Sequence, residues 1–326
     1  MIIGFSYDLK DDYLKEGFSK EQTAEFDSSV TVDSVENALK SLGHEVDRIG
    51  NLFSLMRRLL NGDRWDLVFN IAEGMYGSGR EALVPALLDA YRIPYTFSDP
   101  LVHAVTLDKA ATKRILRDNG LPVTDFVIVS DPASIKLPDG KYPYFVKPVG
   151  EGTGKGITPR SIVHSYQELS AQCAELISVF NQPVIVEPFL SGREATAGVL
   201  GTDTDAYCLG VMEIGFNDKS DAKIHSYFNK ENCEFAVEYT LAKGNFADIC
   251  AKTSVAAHKA IGIKDACRVD MRADADGNIY IMEINSLPGL MPARSDLILL
   301  SGMAGYTYQQ VISEIVDSAE KRWFKK

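Results

Sequence analysis

The chain opens on a regular exchange between two hydrophobic periods. Residues 1–6 are an apolar run, and residues 30–42 place Val32, Val35, Leu39 and Leu42 on one stripe, the spacing of a helix with one buried face. Gly43 ends that stripe, as glycine commonly does just past a helix. Residues 44–49 and 66–71 read as strands on either side of a helix at 53–60. This alternation predicts a parallel sheet with helices on its faces. Residues 8–27 are charged and weakly periodic, which suits a loop or a lid-like insertion. A helix at 82–91 follows the third strand, residues 92–96 return to the sheet, and the first domain ends near Pro100.

Further along, Asp108 or Thr106 caps a helix that runs to Asn119-Gly120. Residues 126–129 form a strand and residues 137–143 a turn rich in proline and glycine. A strand carrying Lys147 then leads into the glycine-rich stretch 150–156. Helices are expected at 164–180, 246–261 and 308–323, strands at 184–190, 195–200 and 207–214, and a polar loop at 224–230. Near the end, residues 267–271 and the run beginning at Met282 both alternate apolar and polar positions, with Asp274, Asp276, Gly277 and Asn278 between them. That is a β-hairpin.

The hairpin carries the first candidate chemistry. Arg268 and Asp270 share a strand face, as do Glu283 and Asn285, because side chains alternate along a strand. Pairing the strands brings all four together. Three oxygen donors suit a hard cation such as Mg²⁺, and the arginine adds a fixed charge. A solvated surface hairpin is the competing reading. The stretch 150–156 is neither of the common phosphate motifs. A P-loop ending at Gly154-Lys155 needs glycine at 149 and Ser or Thr at 156, but the chain has Val149 and Gly156. A GxGxxG motif fails as well, since Gly152, Gly154 and Gly156 are spaced GxGxG. What remains is a mobile loop of backbone donors after a strand lysine. Residues 184–190 end in Glu187, Phe189 and Leu190, with Glu194 just beyond. An apolar strand ending in an acid suits an adenine cleft, with Glu187 or a neighbouring backbone group bonding the base and Glu194 the ribose. Glu73 and Arg80 flank the loop after the third strand, where open α/β sheets bind ligands.

Composition narrows the class. Of 326 residues, 45% are hydrophobic and 24% charged, ordinary for globular chains, and the length supports two or three domains. A net charge of -11 argues against a nucleic-acid groove but leaves room for ATP on a few local lysines. Five widely spaced cysteines suggest neither zinc nor a disulfide framework, and no run approaches a membrane span. No signal peptide is evident, so a cytoplasmic protein without membrane partners is expected.

Taken together the motifs resemble the D-alanine–D-alanine ligase branch of the ATP-grasp superfamily, over nearly the whole chain. The marks are Leu107-Asp108-Lys109, Val146-Lys147-Pro148 with residues 151–156, Val186-Glu187 with Gly192-Arg193-Glu194, Arg268-Val269-Asp270, and Glu283-Ile284-Asn285 with Pro288-Gly289. The resemblance implies an α/β, three-domain fold: a Rossmann-like substrate domain over 1–100, a central ATP-grasp subdomain over 101–190, and a C-terminal one with the metal site over 191–326. It implies an ATP-dependent ligase that activates a carboxylate as acyl phosphate and couples it to an amine. Lys109, Lys147 and Lys230 would contact ATP, with Glu151, Gly152, Thr153 and Gly154 closing over the phosphates. Glu187, with Phe189 and Leu190, would hold adenine and Glu194 ribose. Asp270, Glu283 and Asn285 would bind two Mg²⁺, or Mn²⁺, and Arg268 would steady the acyl phosphate and the later oxyanion. The partners would be ATP and small amino-acid-like substrates, and the protein a homodimer through its N-terminal domain.

The departures fall on the substrate side. The HGGxSxE-type segment of the family is absent, and residues 4–8 read Gly-Phe-Ser-Tyr-Asp. Thr153 replaces the loop serine and Glu231 the tyrosine after the loop lysine. The serine-and-hydrophobic pair after Pro288-Gly289 appears as Ala293-Arg294-Ser295-Asp296. Arg294 and Ser295 therefore join the substrate candidates, with Asp296 open to an amine, against the plainer reading of surface polarity. Another substrate pair is expected. The alternatives are a genuine D-alanine–D-alanine ligase and a catalytically silent ATP-binding protein.

Overall fold

Three sheets carry the chain, and each supplies one wall of a central cleft. The structure is a computed structural model and describes residues 1–137 and 141–324. Of the turn expected at 137–143, Pro138, Asp139 and Gly140 lie outside the described residues.

The first sheet has the order β2-β1-β3, with β1 (Ile2–Ser6), β2 (Glu45–Gly50) and β3 (Leu67–Asn70) all parallel, as the alternating pattern requires. Ile3, Phe5, Leu67 and Phe69 are fully buried in it. Residues 8–27 are a self-packed body, not an open loop. They contain α1 (Lys10–Lys15), close their neck where Lys10 N donates to Asp27 O, and stack Tyr13 on Phe26 at 4.4 Å. Helices α2 (Ser29–Ser41) and α3 (Leu52–Leu60) start where Ser28 and Asn51 accept from backbone N–H groups. After α4 (Leu83–Tyr91), residues 92–96 add only an isolated bridge between Tyr95 and Val68, short of the return strand expected.

Two helices then lead to the second sheet. The sequence period missed α5 (Pro100–Leu107), although Asp99 caps it and Pro100 sits at its first turn; its apolar residues form no clean stripe. Asp108 caps α6 (Lys109–Asp118). The second sheet has the order β4-β7-β5-β6, from β4 (Val127–Val129), β5 (Tyr144–Pro148), β6 (Ile162–Val163) and β7 (Val184–Pro188), backed by α7 (Tyr166–Phe180).

The third sheet comprises β8 (Glu194–Leu200), β9 (Tyr207–Phe216), β10 (Val237–Leu241), β11 (Ala266–Ala273) and β12 (Ile279–Asn285), ordered β10-β9-β8-β11-β12. The expected loop at 224–230 is instead partly helical: α8 (Tyr227–Glu231) begins where Ser226 Oγ accepts from Asn229 N. One turn is too short to show a period. The short α9 (Cys233–Ala236) and the edge strand β10 add to the elements expected from the sequence. Then come α10 (Asn245–Ile261), α11 (Asp296–Met303) and α12 (Tyr308–Phe324). The last helix turns back to the first sheet, where Val311, Ile312 and Ile315 share a core with Ile3, Phe5 and Phe69. Fully buried Asp265 fastens that return, accepting from Phe97 N and Arg322 Nη2, both at 2.7 Å, and from Ser318 Oγ at 2.9 Å. Among the described residues no helix is long and apolar enough to cross a membrane.

A buried histidine gives this fold a pH dependence. His258 on α10 sits fully buried with Nδ1 3.2 Å from Cys267 Sγ, and burial pushes it down to about 4. The unfolded chain takes up a proton near the ordinary histidine value; the folded chain resists until about 4. Its contribution is therefore complete above that ordinary value and is lost as pH falls. Between pH 7 and pH 5 this group alone should cost roughly 2 kcal/mol of stability. Urea unfolding at both pH values should show a smaller drop for His258→Gln than for the parent, and an identical drop removes His258 as the cause.

Candidate active site

The hairpin forms as β11 against β12, antiparallel, with Arg268 opposite Asn285 and Asp270 opposite Glu283. Arg268 grips Asp270 with two parallel bonds, Nε to Oδ1 and Nη2 to Oδ2, each 3.0 Å. Such bidentate pairs are among the stronger charge-assisted contacts. Asp270 also accepts from Thr196 Oγ1 on β8 at 2.6 Å and from Asn285 Nδ2 at 3.3 Å. On its other side Arg268 Nη1 lies 3.2 Å from Asp296 Oδ2, at the start of α11. Burial opposes the charge on Asp296, but Arg268 overrides it and holds the carboxyl below its usual range.

Lysines converge from the second sheet and α6. Lys109 Nζ lies 3.4 Å from Glu283 Oε2 and donates to Glu151 O at 2.5 Å. Lys147 Nζ on β5 and Lys113 Nζ on α6 take opposite oxygens of Glu187, at 3.2 and 2.8 Å. Thr124 Oγ1 adds a third bond to that carboxylate at 2.7 Å. Burial pulls Lys109 and Lys113 below the usual lysine range. It pulls on Lys147 too, but there Glu187 and Glu283 outweigh it. Burial also opposes ionisation of Glu187, yet Lys113 and Lys147 hold it down at about 2. Glu283 is likewise far below its usual range, because Lys109, Lys147, Lys230 and Arg268 outweigh burial.

Two hollows meet here. The larger, about 340 Å³, is lined by Lys109, Glu151, Gly152, Thr153, Lys230, Arg268, Glu283 and Asn285, with Glu73, Arg294, Ser295 and Asp296 on its far walls. The smaller, about 60 Å³, is an apolar slot between Phe145, Ile157, Phe189, Leu190 and Met282, with Lys147, Glu187, Glu194 and Asp270 at its margins. The glycine-rich loop spans both, with Glu151 lining each. Gly154 holds φ +71°, and a Cβ there would meet Tyr227 N at 3.0 Å, so only glycine fits. Thr153 beside it holds φ 51°, a strained setting for a β-branched residue.

Several candidates stand differently from their sequence reading. Arg80 is not directed at substrate: it is buried, with Nη1 donating to Gly150 O at 3.0 Å and Nη2 to Glu25 at 3.0 and 3.2 Å. Glu187 is a counter-ion for two lysines more than an open acceptor. Glu194 lies 2.7 Å from Arg272 Nη1, yet burial pushes it up to about 7 against that pull. Arg294 faces Glu231 at the exposed rim, 3.3 Å away, and Ser295 Oγ accepts from Met291 N. The sequence reading left out Glu25, Lys113, Lys155, Asp296 as the partner of Arg268, and Arg272. Lys155 lies within the glycine-rich stretch, but its partner Glu25 does not; the others sit in no spacing motif, and folding alone brings them in. Asp270, Glu283 and Asn285 supply hard oxygen donors on neighbouring strands, which fits a divalent cation. Among the described residues no three His, Cys, Asp or Glu gather as a metal cage.

The family model for the D-ala D-ala ligase C-terminus matches residues 115–317. The D-alanine–D-alanine ligase of Aquifex aeolicus is 31% identical over 287 residues, covering 88% of this chain and 93% of that protein. An uncharacterised protein of Sinorhizobium fredii, y4sG, is 31% identical over 305 residues, covering 90% and 88%. The D-alanine–D-alanine ligase of Bacillus anthracis, solved in complex with ATP, matches in fold with a TM-score of 0.75 at 22% identity, over 99% of this chain and 98% of that one. The α/β ATP-grasp fold expected from the motifs is the fold of this chain. The chain belongs to the D-alanine–D-alanine ligase family, ATP-dependent carboxylate–amine ligases of the ATP-grasp type that work with divalent metals.

Proposed function

We propose that this ligase joins a small amino-acid-like carboxylate to an amine in the larger hollow, with ATP in the slot beside it. The observation that carries this reading is Arg268, held between Asp270 and Asp296 where the hollow meets the lysines. The substrate carboxylate attacks the γ-phosphorus of ATP, and the bond to ADP breaks. Lys109 and Lys147 offset the repulsion between the two anions, as phosphoryl transfer requires. The amine then attacks the carbonyl of the acyl phosphate. Arg268 faces the tetrahedral oxyanion, a proton leaves the nitrogen, and phosphate departs as the amide forms. Two Mg²⁺ at Asp270, Glu283 and Asn285 supply charge neutralisation at the phosphates when bound; Mn²⁺ has the same donor preference.

Adenine fits the slot between Phe145, Phe189, Leu190 and Met282, with Glu194 at the ribose. Lys230 borders both hollows and suits the phosphates. Glu73 on the far wall and Arg294 and Ser295 at the rim are the substrate-side candidates. Because Asp296 stands beside Arg268, we infer a substrate pair other than two D-alanines. The three sheets support domains at 1–100, 101–190 and 191–326; by its resemblance to the family we infer a cytoplasmic protein that dimerises through the first.

Arg268→Lys and Glu283→Gln should each lower substrate-dependent ADP release by roughly 10²–10³-fold, the usual loss when a transition-state cation or donor is removed. Near-parental rates in both would remove the assignment. Amino acids and hydroxy acids, offered singly and in pairs with products weighed by mass spectrometry, identify the substrates. If Glu187 is chiefly a counter-ion, Glu187→Ala should cost about 3–5 kcal/mol in nucleotide-free unfolding, the penalty for stranding a buried charge. A loss below about 1 kcal/mol would instead return Glu187 to the adenine side.

A further inference from the structure

The self-packed body at 8–27 reaches across the cleft to the glycine-rich loop through one side chain. Glu25 sets its carboxylate between Arg80 Nη2, at 3.0 Å from Oε2, and Lys155 Nζ, at 2.9 Å from the same oxygen. All three side chains are nearly inaccessible to solvent. The cluster is balanced by Glu151, which also pairs with Lys155 and accepts from Gln182 Nε2 at 2.7 Å. So Lys155, a loop lysine that sequence alone would aim at phosphate, is spent on a carboxylate from a different sheet's neighbourhood.

Gly152 gives an independent sign of the same contact. Its φ is not in the left-handed region, so its backbone does not demand glycine. A Cβ there would lie 2.3 Å from Glu25 Oε1. The missing side chain makes room for this carboxylate. The body behind Glu25 is packed on itself and tied to the loop after the first sheet's third strand. Asp8 at its neck accepts from Gly74 N at 2.8 Å and from Tyr13 Oη at 2.5 Å, and Tyr13, Phe18 and Phe26 pack inside it.

We propose that Glu25 is a latch: its ion pairs with Lys155 and Arg80 hold the glycine-rich loop shut against the 8–27 body, and thereby keep water from the reaction hollow. Opening the loop separates Lys155 from Glu25, so the first sheet's insertion gates a loop of the second sheet. Burial opposes the charge on Glu25, and Arg80 and Lys155 override it, so the latch is charged whenever it is closed. The consequence for catalysis rests on the ligase reading above. With the latch broken, water competes with the amine for the acyl phosphate, returning the free carboxylate and phosphate with one ATP already converted to ADP.

The test uses the full chain with Glu25→Gln, Lys155→Met and the double variant. Amide hydrogen exchange across residues 149–157 should rise roughly tenfold in either single variant and no further in the double, as for one local opening event. Thermal unfolding, measured alongside, reports whether the whole fold has loosened. Amide product per ADP released should fall in the single variants. Unchanged loop exchange in both, additive effects in the double, or a rise matched by global destabilisation overturns the latch. The exchange measurement needs no turnover, so an inactive parent enzyme would count against the ligase reading and leave the latch to be judged by exchange alone.

Discussion

Buried positive charge in the cleft is the constraint on which the rest of the structure depends. Lys109, Lys113, Lys147, Arg268 and Arg272 all lie at or near full burial around the two hollows. Removing an ion from water costs several kcal/mol even after relaxation, so each cation needs a carboxylate in good geometry. The chain supplies them from the same strand, neighbouring strands and adjoining helices: Glu283 for Lys109, Glu187 for Lys113 and Lys147, Asp270 and Asp296 for Arg268, Glu194 for Arg272. Acids that would read as ligand contacts in isolation thus serve as counter-ions too. A phosphate entering among these lysines meets cations already desolvated and fixed in place, the arrangement that electrostatic preorganisation calls for.

That constraint also explains why the sheets meet where they do. The antiparallel hairpin brings Arg268, Asp270, Glu283 and Asn285 to one surface, and α6 and β5 aim their lysines at it. The first sheet contributes through residues 8–27 and Arg80, whose charges close on the glycine-rich loop. The last helix ties the third sheet back to the first through the shared apolar core and the buried Asp265 cluster. The walls of the cleft are therefore braced from behind as well as by their own charges.

Much of the ATP side was legible in the residues. Period-two alternation at 267–271 and 282–285 gave the hairpin, and alternation alone put its four polar side chains on one face. Lys147 before a run of glycines gave the loop. The substrate side was harder. Arg80 looked available because it follows a strand end, yet Glu25, fifty-five residues earlier, takes its guanidinium. Asp296 stood open to an amine or to plain surface polarity, and α11 buries it beside Arg268. Helix α8 was missed because one turn shows no period, and α11 because it is buried on most of its surface and shows no polar stripe.

The sequence by itself determined the parallel first sheet, the hairpin, the lysine strand and the glycine loop, because each follows from local period or spacing along one segment. Only the tertiary structure decided which charges compensate which. Glu25 with Lys155, Glu187 with Lys113 and Asp296 with Arg268 join segments 28 to 130 residues apart. No local pattern encodes such pairs. They are chosen when the sheets close and water leaves the cleft, since only then does an unpaired charge become costly.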